Sequence, residues 1–259
     1  MQTTLADFQL LARNLDASLQ RFSRQPQIAR EAEYYLEKIE QVDTIDQFLA
    51  DDRLYRFAME ASGLGDMVYA KAFMRKVLEE GVDDPESFAN KLADTRFRDF
   101  AKRFNFNRYG ASATTFERTR QPVVDAYVRL KLEEDAGQSN EGVRLALYFQ
   151  RKAPGLRNGY DILADPALMK VAETVIGVSF ARGDIEKNAR LVEEKIDIPS
   201  LSDPAKLEKF LERFTTMWEL TANPAQATSP TAALFVEPLE AGIGQDLLQS
   251  LQQLKLAGG

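Results

Sequence analysis

Thirteen residues, Arg96 to Arg108, read RFRDFAKRFNFNR and interleave five cations with four phenylalanines. Arg96, Arg98, Lys102, Arg103 and Arg108 can neutralise phosphates, and Phe97, Phe100, Phe104 and Phe106 can stack on bases, the combination a single-strand nucleic-acid surface uses. Against that reading, Phe97, Phe100 and Phe104 fall at helical spacing, which predicts a buried face with the cations solvated beside it. Such cations suit an acidic protein partner.

Paired carboxylates are the second chemical candidate. Glu79 and Glu80 recur as Glu193 and Glu194, with Asp83 and Asp197 beside them. Two carboxylates can divide acid and base work, yet neighbours on a helix diverge by about 100°. Inheritance from a repeat explains their recurrence more simply than catalysis does. The chain has no His and no Cys, which removes the commonest general base, the thiolate nucleophile and the commonest soft metal ligands. Gly63-Leu64-Gly65 and Gly242-Ile243-Gly244 lack the third glycine of a dinucleotide loop, and no Ser begins a Ser-x-x-Lys motif. Asp51/Asp52 and Asp83/Asp84 lack the alternating spacing of a calcium loop. No catalytic residue, cofactor or metal is therefore expected.

The elements that must position these residues are repeated. LADDRLYRFA at Leu49 to Ala58 returns as LADTRFRDFA at Leu92 and LADPALMKVA at Leu163. Pro166 follows Asp165, and Pro is accommodated at the first position of a helix, so Asp165 is expected to be an N-cap. Asp51 and Asp94 follow by alignment, and Asp84 and Asp203, each before a Pro, are expected to start further helices. After each cap the apolar spacing predicts a buried face: Leu54, Phe57, Ala58 and Ala61; Phe97, Phe100, Ala101 and Phe104; Leu168, Val171, Ala172 and Val175. Phe48 to Asp83 aligns without a gap to Ile162 to Asp197 at a shift of 114, with nine identities in 36 positions. The Asp-Pro pairs then follow at a shift of 119, which places about five extra residues near Ile198 to Ser202, an insertion of the kind surface loops accept. Leu49 and Leu92 lie 43 apart, a solenoid-like length within the larger repeat.

Read along its length, the chain is helical. Leu5, Phe8, Leu11, Leu15, Leu19 and Phe22 predict one helix within residues 1–26, ending before Pro26. A first repeat half spans 27–110: a helix from Gln27 to Gln41, a capping box at Thr44 and Gln47, and a helix from Met67 to Glu80 closed by Gly81. A turn-rich break near Asn107 to Thr115 separates the halves. A bridging region, 111–153, carries a helical pattern interrupted near Gly137 to Gly142. The second half spans 154–220, and 221–259 is an Ala-, Thr- and Pro-rich tail ending on an amphipathic segment with Leu247, Leu248, Leu251 and Leu254.

Net charge is -7, with 44% hydrophobic and 28% charged residues, which suits a soluble globular protein and opposes general attraction to nucleic acid. MQTTLADFQL lacks a basic segment followed by an apolar run, and no stretch approaches ~20 apolar residues. A cytoplasmic location, or export by a route without a cleaved signal, is expected.

Arg75 to Gly81, RKVLEEG, with Asp84-Pro85, KLADTRFRDFAKRFNF from Lys91 to Phe106 and RLAL at Arg144 to Leu147 together resemble an uncharacterised bacterial family. It is a domain of unknown function associated with flagellar gene clusters, mainly in alphaproteobacteria, some of whose members carry several copies. The resemblance covers roughly residues 25–220 and implies a flagellar context without supplying a catalytic residue. The expectation is an all-α protein of two related helical halves with amphipathic terminal helices, acting as a non-enzymatic assembly or interaction factor. Its partner is then a protein, flagellar by the resemblance, and self-association is compatible with the terminal helices. The alternatives are a nucleic-acid-binding regulator acting through Arg96 to Arg108 and an enzyme that works without His.

Overall fold

The computed structural model describes residues 3–181 and 183–222, and among them every regular element is a helix. The first compact unit ends at Trp218. Leu247, Leu248, Leu251 and Leu254 lie outside the described residues.

The stripe expected to form one N-terminal helix forms two, α1 (Thr4–Arg13) and α2 (Leu15–Ser23), broken at Asn14. Asn14 leaves helical geometry at φ -113°, ψ 29°, and its side-chain amide donates to the Leu10 carbonyl, a local bond with which Asn competes against helix continuation. The break sends Phe8 and Phe22 into two different hydrophobic clusters.

The first cluster is built by α3 (Pro26–Ile39), α4 (Ile45–Ala50), α5 (Asp52–Ala61), α6 (Lys71–Glu80), α7 (Phe88–Lys91), α8 (Thr95–Arg103), α9 (Phe106–Tyr109) and α10 (Gln121–Ser139). Fully buried Phe48 stands at its centre, its ring 5.1 Å from Phe104 and 5.8 Å from Phe106. The second is built by α11 (Glu141–Lys152), α12 (Gly159–Leu163), α13 (Pro166–Ile176), α14 (Ile185–Lys195) and α15 (Pro204–Ala222). The bridging region is thus divided at Asn140: Val123 to Leu132 belong to the first cluster, Val143 to Phe149 to the second. All twelve apolar residues that follow the three Leu-Ala-Asp motifs are buried, each large side chain stabilising the fold by about 1.5–3 kcal/mol.

Local signals explain the helix starts. Asp51 Oδ1 accepts from the amides of Arg53 and Leu54, Asp94 Oδ1 from Arg96, Asp165 Oδ1 from Ala167 and Leu168, and Asp203 Oδ1 from Ala205 and Lys206. Thr44 and Gln47 exchange the two bonds of a capping box. At each of two caps a tyrosine 17 residues upstream adds a bond: the Tyr34 hydroxyl donates to Asp51, and that of Tyr148 donates to Asp165. At the 114-residue shift the bounds of α4, α5 and α6 fall within one residue of those of α12, α13 and α14. Gly63 and Gly177, equivalent at that shift, take φ of 72° and 80°, a left-handed geometry that favours Gly.

Four expectations are corrected. Asp84 does not cap a helix: its carboxylate accepts from Glu86 N in a turn, the next helix begins at Phe88, and Glu80 Oε2 receives the Phe88 amide at 2.6 Å. The helix expected from Met67 begins at Lys71, after a single 3-10 turn at Gly65–Met67. The break near Asn107 to Thr115 is not a boundary, because Ala113 and Thr114 are buried and the Thr114 hydroxyl donates to Val42 O. The insertion near Ile198 to Ser202 is a 3-10 turn that buries Ile198 and Leu201 in the second cluster; apolar side chains at its first and fourth positions turn one edge of the loop inward.

Candidate functional site

The basic-aromatic segment folds as α8 and α9, and its two chemistries separate. Phe97, Phe100, Phe104 and Phe106 are all buried, which leaves no phenylalanine of the segment exposed for bases to stack on. The cations divide as well. Arg96 is held by Asp94, with Nη2 at 2.7 Å from Oδ2, and also donates to the Gly63 carbonyl. Arg98 and Lys102, one turn apart on α8, have no hydrogen bond or ion pair among the described residues. Arg108 is exposed, 3.7 Å from Asp83. Arg103 is partly buried, and burial lowers the affinity of its guanidinium for its proton, with Tyr35 and Asp99 acting in the opposite sense.

Most of the carboxylates considered for acid and base work are occupied in structure. Glu80 receives the Phe88 amide and Glu193 the Gly159 amide, while Glu79 faces Arg75 at 3.5 Å. Asp83 accepts from Asn105 Nδ2 at 3.4 Å besides facing Arg108.

Two polar arrangements had no distinctive sequence motif. Between α10 and α11, the Glu133 carboxylate, 2% exposed, is gripped by two arginines. Arg129 Nε and Arg151 Nε each donate to Oε1 at 2.9 Å, and Arg151 Nη2 donates to Oε2 at 2.8 Å. Arg129 also donates to the Leu147 carbonyl, so the ion cluster joins the last helix of the first core to the first helix of the second. Beside it, Lys152 has its pKa lowered by burial and by the Arg151 charge, while burial and the Asp165 charge raise that of Tyr148.

The second arrangement is an open cleft of about 600 Å³ between α3, α5 and α10. Its floor is the stacked pair Phe57 and Tyr127, with ring centroids 3.9 Å apart. On its wall Lys131 sits between Glu60 at 2.8 Å and Glu134 at 2.9 Å. Burial opposes the Lys131 charge, but the two carboxylates outweigh it and raise the pKa. A lysine base would need the reverse balance, and Lys152, whose pKa is lowered, does not line this cleft.

A family model described as "Protein of unknown function (DUF1217)" matches residues 61–207. The chain belongs to this family. The match runs from the end of α5 into the start of α15. The chain is also similar to the crystal structure of protein AGR_C_984 from Agrobacterium tumefaciens, at 49% sequence identity and a TM-score of 0.79. That likeness covers 84% of this chain and 94% of the other. None of the curated proteins compared matches it. Neither description names a reaction, ligand or partner.

Proposed function

We propose that this DUF1217 protein is a non-enzymatic helical interaction factor that contacts a protein partner through the cationic face of α8 and α9 during flagellar biogenesis. The observation that carries the reading is the run of cations along α8 and α9. Arg98 and Lys102 lie one turn apart on α8 with no ion pair among the described residues, and Arg108 on α9 is held only loosely, 3.7 Å from Asp83. Exposed cations on an acidic chain supply local complementarity to an acidic surface while the total charge discourages non-specific binding. The flagellar setting rests on the family resemblance and on the alphaproteobacterial source of the similar structure.

Burial of all four phenylalanines weighs against the single-strand nucleic-acid reading, which needs exposed rings. We read the two halves as copies of one ancestral unit, supported by the coincident helix bounds and the paired Tyr-Asp caps. Affinity capture from a flagellated host, alongside a deletion strain, tests the function. The expected result is recovery of a flagellar protein and impaired swimming; normal swimming with no flagellar partner recovered overturns it.

A further inference from the structure

Lys152, the last residue of α11, is the one lysine among the described residues that is half-buried and has no carboxylate within ion-pair distance. Lys38, Lys71 and Lys131, the other half-buried lysines, each face a carboxylate within 3.5 Å. The Lys152 amine lies 5.8 Å from the centre of the Tyr148 ring, and the Arg151 guanidinium carbon lies 5.0 Å from the same ring. The polar groups around it are already committed: the Tyr148 hydroxyl donates to Asp165, Arg151 to Glu133, and Arg96 of α8 to Asp94. Lys152 Nζ is left without a hydrogen bond among the described residues, yet it is not sealed from solvent.

Burial and the Arg151 charge, aided by Arg96, disfavour the ammonium form, and Asp165 and Asp99 offset them only in part, so the pKa falls below the ordinary 10.5. Near neutral pH this amine therefore offers its lone pair more often than an exposed lysine does. Its surroundings also select the electrophile. A half-buried amine is reached most cheaply by a small uncharged molecule, which carries no desolvation cost of an ion. Carbon dioxide is such a molecule, and its adduct is an anion. Arg151 and Arg96, which repel the ammonium, attract a carbamate in its place. Arg151 is 33% exposed and has room to share its guanidinium between Glu133 and a second carboxylate. Asp165 opposes the anion weakly, because its own charge is met by the Tyr148 hydroxyl and the Ala167 and Leu168 amides, and exposed Asp99 is screened by water.

We propose that Lys152 is a carbamylation site that adds carbon dioxide reversibly. The Nζ lone pair forms a bond to the carbon, one C=O π pair moves onto oxygen, and a proton leaves Nζ to water, so a neutral amine becomes a carbamate anion. The adduct lies at the junction of α8, α11 and the α13 cap. It is independent of the partner reading, which concerns the outer face of α8 and α9.

The test is carbon-13 NMR of the full chain equilibrated with labelled bicarbonate and carbon dioxide, compared with Lys152→Arg and Lys187→Arg. A carbamate resonance is expected that Lys187→Arg keeps and Lys152→Arg loses; the terminal amine, which titrates near neutrality, gives a resonance common to all three chains. Trapping with trimethyloxonium and locating the methyl carbamate by peptide mass spectrometry reads the same site in the wild-type chain, whatever the folding of the variants. The yield at Lys152 is expected to exceed that at exposed Lys170 and Lys187 by about tenfold or more, the ratio for one pKa unit. No carbamate beyond that of the terminal amine, a resonance that survives Lys152→Arg, or equal trapping at the exposed lysines overturns the proposal.

Discussion

Replacing Glu133 by Gln is expected to cost this protein about 3 kcal/mol of stability. The carboxylate is 2% exposed and takes three charge-assisted bonds at 2.8 to 2.9 Å from Arg129 and Arg151. Glutamine keeps the shape but loses the charge, and with its oxygen kept toward the two Nε donors its amide nitrogen turns a donor toward Arg151 Nη2. Removing one partner of a buried ion pair costs about 3–5 kcal/mol, chiefly because the other charge stays behind unpaired. Arg151 is 33% exposed and can turn toward water, which favours the low end; Arg129, at 10%, cannot. For a body of this size each kcal/mol lowers Tm by about 2–4 °C, so a fall of roughly 6–12 °C is expected in a thermal melt followed by circular dichroism. Urea unfolding gives the free energy directly. A loss below about 1 kcal/mol would refute the reasoning, since it would mean that the cluster contributes no more than a surface pair. Replacing Glu133, Arg129 and Arg151 together by apolar residues should recover much of the loss.

Asp165→Ala removes two amide bonds and the bond from Tyr148, and should cost about 1–2 kcal/mol in urea unfolding; Asp84→Ala, at a solvent-exposed turn, should cost under about 0.5 kcal/mol. Gly142→Ala would put a Cβ 2.4 Å from Trp218 Cδ1 and 2.8 Å from Thr4 Cγ2, which predicts a loss of about 1–3 kcal/mol and a changed emission from the single tryptophan; unchanged emission and stability contradict it. Burial raises Tyr55 and Tyr127 to about 12 from the ordinary 10.0. Between those values the unfolded chain gives up phenol protons that the folded chain keeps, so their stabilising contribution is full below about pH 10 and is lost as pH rises through 12. Alkaline urea titration of Tyr127→Phe should show a shallower decline across that window, and an unchanged slope counts against the assignment.

Signals confined to a few neighbouring residues were legible in the sequence. Pro166 marked the α13 start, Thr44 and Gln47 marked α4, and the apolar spacing identified the buried faces. Asp84-Pro85 misled because Pro suits a turn as well as a first helical position, and only the side chain of Glu80 reaching the Phe88 amide shows where the helix begins. Asn14 looked harmless inside a stripe that periodicity alone would continue. Contacts between elements were hidden for a different reason. Glu133 and Arg151 lie on separate helices, and nothing in their sequence neighbourhoods says that the carboxylate is buried rather than solvated. Likewise Arg118 joins Arg103 across 15 residues, so the pattern that marked Arg96 to Arg108 stopped short of it and overstated the role of its phenylalanines.

The central claim is that the cationic face of α8 and α9 recruits a protein partner. The most direct measurement is capture from the flagellated host with the wild-type chain and with Arg98→Glu/Lys102→Glu/Arg108→Glu, in parallel with complementation of swimming in the deletion strain. All three side chains lie outside the hydrophobic clusters, and folding of the variant is checked by its melt. The account predicts that the wild-type chain retains a flagellar protein and restores swimming, whereas the folded variant does neither. Equal capture and equal swimming by the two chains would contradict it.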